Sequence, residues 1–149
     1  MIYFDDIQVG QQAVFGPLIV SADEIVDFAR KYDPQPFHLS DAGARDTFFG
    51  SLAASGWHTA AMTMKLIVTG RSEPWADLGS PGFDDLRWQQ PVYPGDRLRV
   101  HTTVQDKQAS ASSAQQGTVR LYVETANQHA EVVMSMTLSA LLERRLASV

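Results

Sequence analysis

The segment from Trp57 to Thr69 constrains the fold more than any other part of the chain. Its pattern predicts a helix whose apolar residues occur on nearly every side instead of along one stripe. Gly70 follows in the position after a helix end that glycine favours. Because such a helix is typical of a protein interior, the rest of the chain has to surround it. The apolar residues concerned are Trp57, Ala60, Ala61, Met64, Leu66, Ile67 and Val68.

The second half of the chain supplies the surrounding layer. Apolar and polar residues alternate over 97–104, 119–123 and 132–140, which is the period of a β-strand. Turn sequences over 109–117 and 125–130 separate these segments and predict antiparallel hairpins. Several antiparallel strands around one apolar helix make an α+β architecture.

A shorter helix is predicted before Pro34. Ser21 and Glu24 have the spacing of a capping box, in which each side chain binds the backbone N–H of the other residue. Because proline ends a helix and disfavours the helical conformation in the residue before it, Asp33 is placed at the C-terminal edge of this helix. The apolar face of the helix consists of Ile25, Phe28, Ala29 and Tyr32.

Asp33 and His38 are the candidate catalytic residues. Pro34 and Pro36 lie between them, and each proline restricts the backbone of the loop. A loop restricted in this way can hold a carboxylate and an imidazole facing one point. These two groups are the usual means of moving protons on and off carbon or water near neutral pH.

The motif Asp-x-x-Pro-x-His at 33–38 is followed by a small-residue turn centred on Gly56 and by a strand, a Pro-Gly-Asp turn and a strand over Leu86–Leu98. This arrangement resembles the MaoC-like, or (R)-specific enoyl-CoA hydratase, family, and the likeness extends from about Ile7 to Leu142. The resemblance implies a single hot-dog domain over residues 1–149, in which an antiparallel sheet wraps around the long central helix. It also implies a homodimer or higher homo-oligomer with acyl-CoA pockets along the dimer interface.

The resemblance implies the reversible hydration of a trans-2-enoyl thioester to a (3R)-3-hydroxyacyl thioester, in fatty acid metabolism and without a cofactor. The substrate would be an acyl-CoA or an acyl-carrier-protein thioester. Asp33 and His38 align with the catalytic pair of the family, which activates water and transfers the proton. Gly56 aligns with the glycine whose N–H contributes to the oxyanion hole. The expected substrate-binding residues are Tyr32, Gln35, Phe37, Ser55 and Trp57.

Three positions depart from the family pattern. Tyr32 stands where glycine is common, Gln35 stands where asparagine precedes the proline, and Met64 stands where some members have a serine. The bulkier loop residues would narrow the acyl pocket. Ser55 stands where many members have a histidine, and its hydroxyl has the alternative role of capping the helix. Residues 70–82 are expected to form a variable lid over the pocket.

The composition argues against several other functions. The chain has no cysteine, which rules out disulfides and thiolate metal sites and is compatible with a reducing compartment, by default the cytoplasm. The net charge of -5 argues against a nucleic-acid surface, and no apolar run approaches the ~20 residues of a membrane span. Asp33, His38 and Asp41 lack a second nearby histidine at ligand spacing, so no metal site is expected. His58 is expected to be a core or pocket-wall histidine.

Two other functions remain open. A hot-dog acyl-CoA thioesterase usually carries an acidic residue on or near the central helix, whereas Trp57–Thr69 contains none. A non-catalytic acyl-thioester-binding protein of the same fold is favoured by Tyr32 and Gln35. The presence of both Asp33 and His38 argues against it.

Overall fold

The structure is a computed structural model that describes residues 1–145, so residues 146–149 of the predicted domain lie outside the described residues. None of the helices in this range is long and apolar enough to cross a membrane. The α-helices are α1 (Ala22–Tyr32), α2 (Asp41–Ala44) and α3 (Gly56–Gly70), and short 3-10 helices cover Phe4–Asp6 and Pro36–His38. The strands are β1 (Gln12–Ile19), β2 (Asp77–Arg87), β3 (Arg97–Ala109), β4 (Gln116–Ala126) and β5 (Val132–Glu143).

The five strands form one antiparallel sheet in the order β1-β3-β4-β5-β2. The predicted alternation is confirmed in β4, where every second side chain is buried. The long helix α3 packs against β1 and β3, and its residues Leu66 and Ile67 enter the same core as Val100, Leu121 and Val123. An antiparallel sheet therefore packs on one long helix, and the predicted α+β class and hot-dog fold are confirmed.

The prediction that α3 is buried on nearly every side is wrong for one face within the single chain. The side of the helix that faces the sheet buries Met62 and Ile67, but Trp57, Met64 and Val68 are 53%, 37% and 55% exposed. These three lie about one or two helical turns apart on one side of α3, and we call them the outer stripe. The reason is that the sheet covers only one side of the helix.

The end of α3 also differs from the prediction. Gly70 was predicted to follow the C-cap, but it is the last residue of the helix, and the C-cap is Arg71. A Cβ atom at Gly70 would lie 2.6 Å from Cδ1 of Phe15. The glycine therefore lets the Phe15 ring of β1 pack closely on the helix end, and a larger residue would displace that ring.

The predicted lid at residues 70–82 is wrong for residues 77–82, because β2 already begins at Asp77. Pairing with β5 forms an edge strand there despite Pro81 and the local glycines, although its register shifts at Gly79 and Gly82. Proline is tolerated in an edge strand because a backbone N–H that faces solvent makes no hydrogen bond to a neighbouring strand, so its loss does not weaken the sheet. Long-range pairing therefore overrides the local composition.

The predicted start and end of α1 are confirmed. Ser21 precedes the first turn, and its Oγ accepts a hydrogen bond from the backbone N–H of Glu24 at 3.3 Å. Ile25 and Ala29 on the predicted apolar face are fully buried, but Tyr32, predicted on the same face, is 71% exposed, so the buried face ends before the last residue of the helix. The helix ends at Tyr32, so Asp33 is its C-cap residue and enters the loop from a fixed position.

Candidate active site

The loop after α1 brings the two predicted catalytic side chains together. Asp33 caps α1, and the following 3-10 turn is closed by a hydrogen bond of 2.9 Å from the His38 N–H to the Gln35 carbonyl. As a result, Oδ2 of Asp33 lies 3.4 Å from Nε2 of His38. The Asp33 side chain is 19% exposed and that of His38 is 6% exposed, so the pair is largely withdrawn from solvent.

The hydrogen bond of the His38 ring determines which nitrogen can act as a base. Nδ1 lies 2.7 Å from the carbonyl oxygen of Ala53. Because a carbonyl oxygen only accepts, the proton of the neutral ring is on Nδ1 and the lone pair is on Nε2. Nε2 therefore faces Asp33 as an acceptor, and a water next to both atoms would have an acceptor for each of its protons.

Two further side chains hold the Asp33 carboxylate. Nε2 of Gln35 donates to Oδ1 at 2.6 Å, and the hydroxyl of Ser55 donates to Oδ2 at 2.7 Å. Burial acts to raise the pKa of Asp33, but the hydrogen bonds from Gln35 and Ser55, and the positive charge of His38 whenever its ring is protonated, lower it below its ordinary value. Asp33 is therefore ionised at neutral pH.

Ser55 does not have the capping role that the sequence indicated as one alternative. It is the residue before α3, but its side chain makes no capping hydrogen bond to the helix. The hydroxyl is completely buried and directed to Asp33 instead. Local spacing could not reveal this contact, because the two residues are 22 positions apart.

Gly56 is the first residue of α3, and the first N–H groups of a helix have no intrahelical acceptor. With Ser55 turned toward Asp33, its hydroxyl does not occupy these amides. A second constraint also applies to this glycine. A Cβ atom on Gly56 would lie 2.5 Å from Cε2 of Trp88, so the indole ring rests directly on the helix terminus.

A cavity of about 270 Å³ adjoins the site. His38 and Gly56 contribute to its wall, so an acyl chain in the cavity would meet both the imidazole and the end of α3. Thr59 was not predicted, although its position three residues after Gly56 places it on the same helix face. The cavity is lined by His38, Phe48, Phe49, Ala54, Gly56, Thr59, Trp88, Gln89, Gln90 and Pro91.

The expected substrate-binding residues lie around this cavity and not in its wall. Gln35 and Ser55 hold Asp33, and Phe37 packs edge-on against the His38 ring at 4.6 Å between centroids. Tyr32 is exposed beside the loop, and Trp57 is half exposed on the outer stripe. Tyr32 therefore does not line the cavity within this chain.

A second cavity, of about 320 Å³, lies at the opposite end of α3 between Phe15, Arg71 and Trp75. Its one buried cation, Arg71, is already paired with Asp77 at 2.8 Å and stacked on Trp75. Since this cavity has no acid and imidazole pair comparable to that of the first cavity, we place the chemistry at the first cavity.

A comparison with protein families shows which family the chain belongs to. A family model described as MaoC like domain matches residues 6–127, which include the loop, the start of α3 and the Pro-Gly-Asp turn. The chain belongs to the MaoC-like domain family. The resemblance inferred from the motifs is therefore confirmed at the level of the family.

Two curated proteins are similar in sequence to this MaoC-like domain. The uncharacterized protein YdeM of Bacillus subtilis is 31% identical over 148 residues, covering 94% of this chain and 98% of that protein. The 3-hydroxybutyryl-CoA dehydratase of Methylorubrum extorquens is 33% identical over 105 residues, covering 70% of this chain and 64% of that enzyme.

Solved structures extend the comparison over the whole fold. A MaoC-like dehydratase from Rhodospirillum rubrum has a TM-score of 0.88 and 38% identity, covering 99% of this chain and 100% of that chain. The (R)-hydratase PhaJ1 from Pseudomonas aeruginosa has a TM-score of 0.73 and 26% identity, covering 99% of this chain and 93% of that chain. The chain is thus a MaoC-like hot-dog domain whose relatives include hydratases and dehydratases.

Proposed function

We propose that this MaoC-like domain catalyses the reversible hydration of a trans-2-enoyl thioester to a (3R)-3-hydroxyacyl thioester. The observation that carries the proposal is the pair of acceptors, Oδ2 of Asp33 and Nε2 of His38, 3.4 Å apart beside an apolar cavity. A water that donates one proton to each acceptor is oriented with a lone pair free to attack carbon. An ionised acid and a neutral imidazole are the protonation states that this step requires.

The proposed chemistry begins when the water oxygen bonds to C3 of the enoyl group. One water proton passes to the Asp33 and His38 pair, and the electrons of the C2–C3 double bond move toward the thioester oxygen. The proton is then returned to C2 from the same side, with His38 delivering it because His38 lines the cavity. Hydrogen and hydroxyl are thereby added, and the residues return to their starting states without a cofactor.

The negative charge that develops on the thioester oxygen needs a donor. We assign this role to the N–H of Gly56, because the first amides of a helix lack intrahelical acceptors and the helix dipole favours negative charge there. Ser55 supports the assignment because its hydroxyl is bound to Asp33 and leaves the helix end uncapped.

The proposal includes the substrate carrier, the assembly and the compartment. The substrate is an acyl-CoA or acyl-carrier-protein thioester, and the name of the similar 3-hydroxybutyryl-CoA dehydratase supports the CoA form. The outer stripe of Trp57, Met64 and Val68 supports a homodimer, since a second copy would bury it. We expect a dimer by light scattering at micromolar concentration, and cytoplasmic action, which the absence of cysteine permits.

The first test is a pair of substitutions, Asp33→Asn and His38→Ala, assayed by the loss of ultraviolet absorbance as the conjugated enoyl thioester is hydrated. Each should lower kcat by roughly 10²–10⁴-fold, the usual size of general acid and base effects, while circular dichroism stays unchanged. The matched controls are Asp27→Asn on α1 and His101→Ala on β3, both exposed and outside the cavity lining. Near-normal turnover in Asp33→Asn or His38→Ala would refute the proposal.

The same samples separate the two alternative functions. A thioesterase would release free CoA thiol, which a thiol reagent detects, while forming no hydroxyacyl product. A non-catalytic binder would retain acyl-CoA binding without either product. The helix α3 carries no acidic residue that could serve a thioesterase, so we expect hydration without thiol release.

A further inference from the structure

Asp41 binds a part of the chain that also contacts His38. It is the first residue of α2, and its Oδ1 accepts a hydrogen bond of 2.8 Å from the backbone N–H of Leu52, 11 positions away. The next residue, Ala53, has the carbonyl oxygen that lies 2.7 Å from Nδ1 of His38. The carboxylate of Asp41 therefore holds the residue directly before the acceptor of the histidine ring.

Asp41 is itself held close to the turn that contains His38. The hydroxyl of Ser40 accepts a hydrogen bond of 3.0 Å from the N–H of Gly43 and so caps the start of α2. A Cβ atom on Gly43 would overlap the carbonyl oxygen of Pro36, so α2 packs directly on the turn. Asp41 and His38 therefore belong to one compact local structure.

The segment 52–54 is buried, and the backbone N–H of each of its residues has an acceptor. The second and third N–H groups donate to the carbonyl oxygens of Phe37 at 3.2 Å and Val92 at 2.8 Å. The first N–H donates to the side chain of Asp41. This hydrogen bond is the one that a substitution can remove, because the other two acceptors belong to the backbone.

The carbonyl of Ala53 determines the tautomer of His38. A neutral imidazole carries its proton on the nitrogen whose neighbour accepts it, and this carbonyl keeps the proton on Nδ1. A competing acceptor lies on the other side of the ring, where Oδ2 of Asp33 is 3.4 Å from Nε2. If the carbonyl moved away, the proton would shift to Nε2 and be donated to Asp33. Nε2 could then no longer accept a proton from water.

We propose that Asp41 is a positioning residue that keeps His38 in the Nδ1–H tautomer, because it fixes the segment that carries the Ala53 carbonyl. Asp41 lies outside the cavity lining, so it acts through His38 and not on the substrate. The expected effect on the rate rests on the proposed function, since that function takes Nε2 of His38 as a proton acceptor. The effect on the tautomer does not depend on that function.

The inference is tested by nuclear magnetic resonance of ¹⁵N-labelled protein, since protonated and unprotonated ring nitrogens have well separated shifts. Spectra are recorded at about pH 8.5, where histidine is ordinarily neutral. The chain has four histidines, and the signals of His38 are those that His38→Ala lacks. The wild type should show the Nδ1–H form, whereas Asp41→Ala should show the Nε2–H form in at least about half of the molecules, as expected for the loss of one hydrogen bond.

Kinetics of enoyl thioester hydration give a second readout. In Asp41→Ala, kcat should fall by about two- to tenfold with little change in KM, and by the same factor as the population of the Nδ1–H form. Because Asp41 is exposed, the variant is expected to fold, which circular dichroism checks.

Two further variants serve as controls. Asp41→Asn keeps an oxygen that can accept from the N–H of Leu52, so it should restore both the tautomer and kcat. Asp46→Ala removes an exposed carboxylate shortly after α2 and should behave as wild type. The inference is overturned if folded Asp41→Ala keeps His38 in the Nδ1–H form, even if its rate falls, or if Asp46→Ala shifts the tautomer equally.

The two readouts separate this inference from the proposed function. If the wild type hydrates enoyl-CoAs but Asp41→Ala keeps the Nδ1–H form, the function is supported and the role of Asp41 is wrong. If the tautomer shifts in Asp41→Ala but the wild type hydrates no enoyl-CoA, the hydratase function is wrong and the role of Asp41 is supported.

Discussion

Replacing Ser55 by alanine removes one of the two side-chain hydrogen bonds that hold Asp33. The lost bond is 2.7 Å long, lies in a fully buried position and ends on Oδ2, the oxygen that faces His38. A hydrogen bond to a charged group is worth about 1.5–3 kcal/mol, and the Asp33 side chain is only 19% exposed, so solvent screens it little. The bond from Gln35 to the other oxygen remains.

This loss should appear both in the rate and in its pH dependence. At neutral pH the carboxylate of Ser55→Ala is still ionised but less well positioned, so kcat should fall by roughly ten- to a hundredfold with little change in KM. Because the lost bond lowers the pKa of Asp33, its removal raises that pKa. The acid limb of kcat/KM should therefore move to higher pH.

The assay is a pH profile of enoyl thioester hydration for wild type, Ser55→Ala, Ser55→Thr and Ser51→Ala. Ser55→Thr keeps a hydroxyl and should recover much of the activity, and Ser51→Ala removes an exposed serine outside the site and should behave as wild type. The reasoning is refuted if Ser55→Ala keeps the wild-type acid limb and rate. Thermal denaturation of each variant separates an effect on positioning from a loss of folded protein.

Three further predictions concern stability. Burial lowers the pKa of His58 below 6.5, so the free energy of unfolding should decrease as pH falls below 6.5. His58→Phe keeps an aromatic ring stacked on Phe28 and should reduce this decrease, which urea titrations at several pH values measure. Gly56→Ala should lower the free energy of unfolding by about 1–3 kcal/mol, and adding Trp88→Ala should recover part of it in the same measurement. Lys107→Met removes the donor to the Ile7 carbonyl and one of the two donors to the Phe4 carbonyl, which keeps the Ile7 N–H. Thermal denaturation should show a loss of roughly 1–3 kcal/mol.

The elements that local chemistry determines could be predicted from the sequence. Ser21 begins α1 because its hydroxyl accepts from a first-turn amide, and Pro34 follows the helix end because it cannot continue a helix. The alternation in β3 and β4 follows from one buried and one exposed sheet face. The N-terminal half of β2 could not be predicted, because its pairing with β5 depends on residues about 60 positions away.

In the candidate site too, contacts within one segment could be predicted from the sequence, whereas contacts between separate elements could not. Asp33 and His38 are five residues apart in a loop stiffened by two prolines, so their approach follows from local sequence. The contact of Ser55 with Asp33 and that of Trp88 with Gly56 join separate elements, and no spacing rule indicates them. The position of Ser55 before α3 indicates a helix cap, but its hydroxyl donates a tertiary hydrogen bond to Asp33 instead.

The most direct test of the central claim is the product formed from crotonyl-CoA by the wild-type protein in heavy water, identified by mass spectrometry and nuclear magnetic resonance. The account predicts (3R)-3-hydroxybutanoyl-CoA with one deuterium on C2. Asp33→Asn should form essentially none of this product. Free CoA with crotonate, or unchanged crotonyl-CoA with wild-type protein that still binds it, would contradict the claim that Asp33 and His38 add water to the double bond.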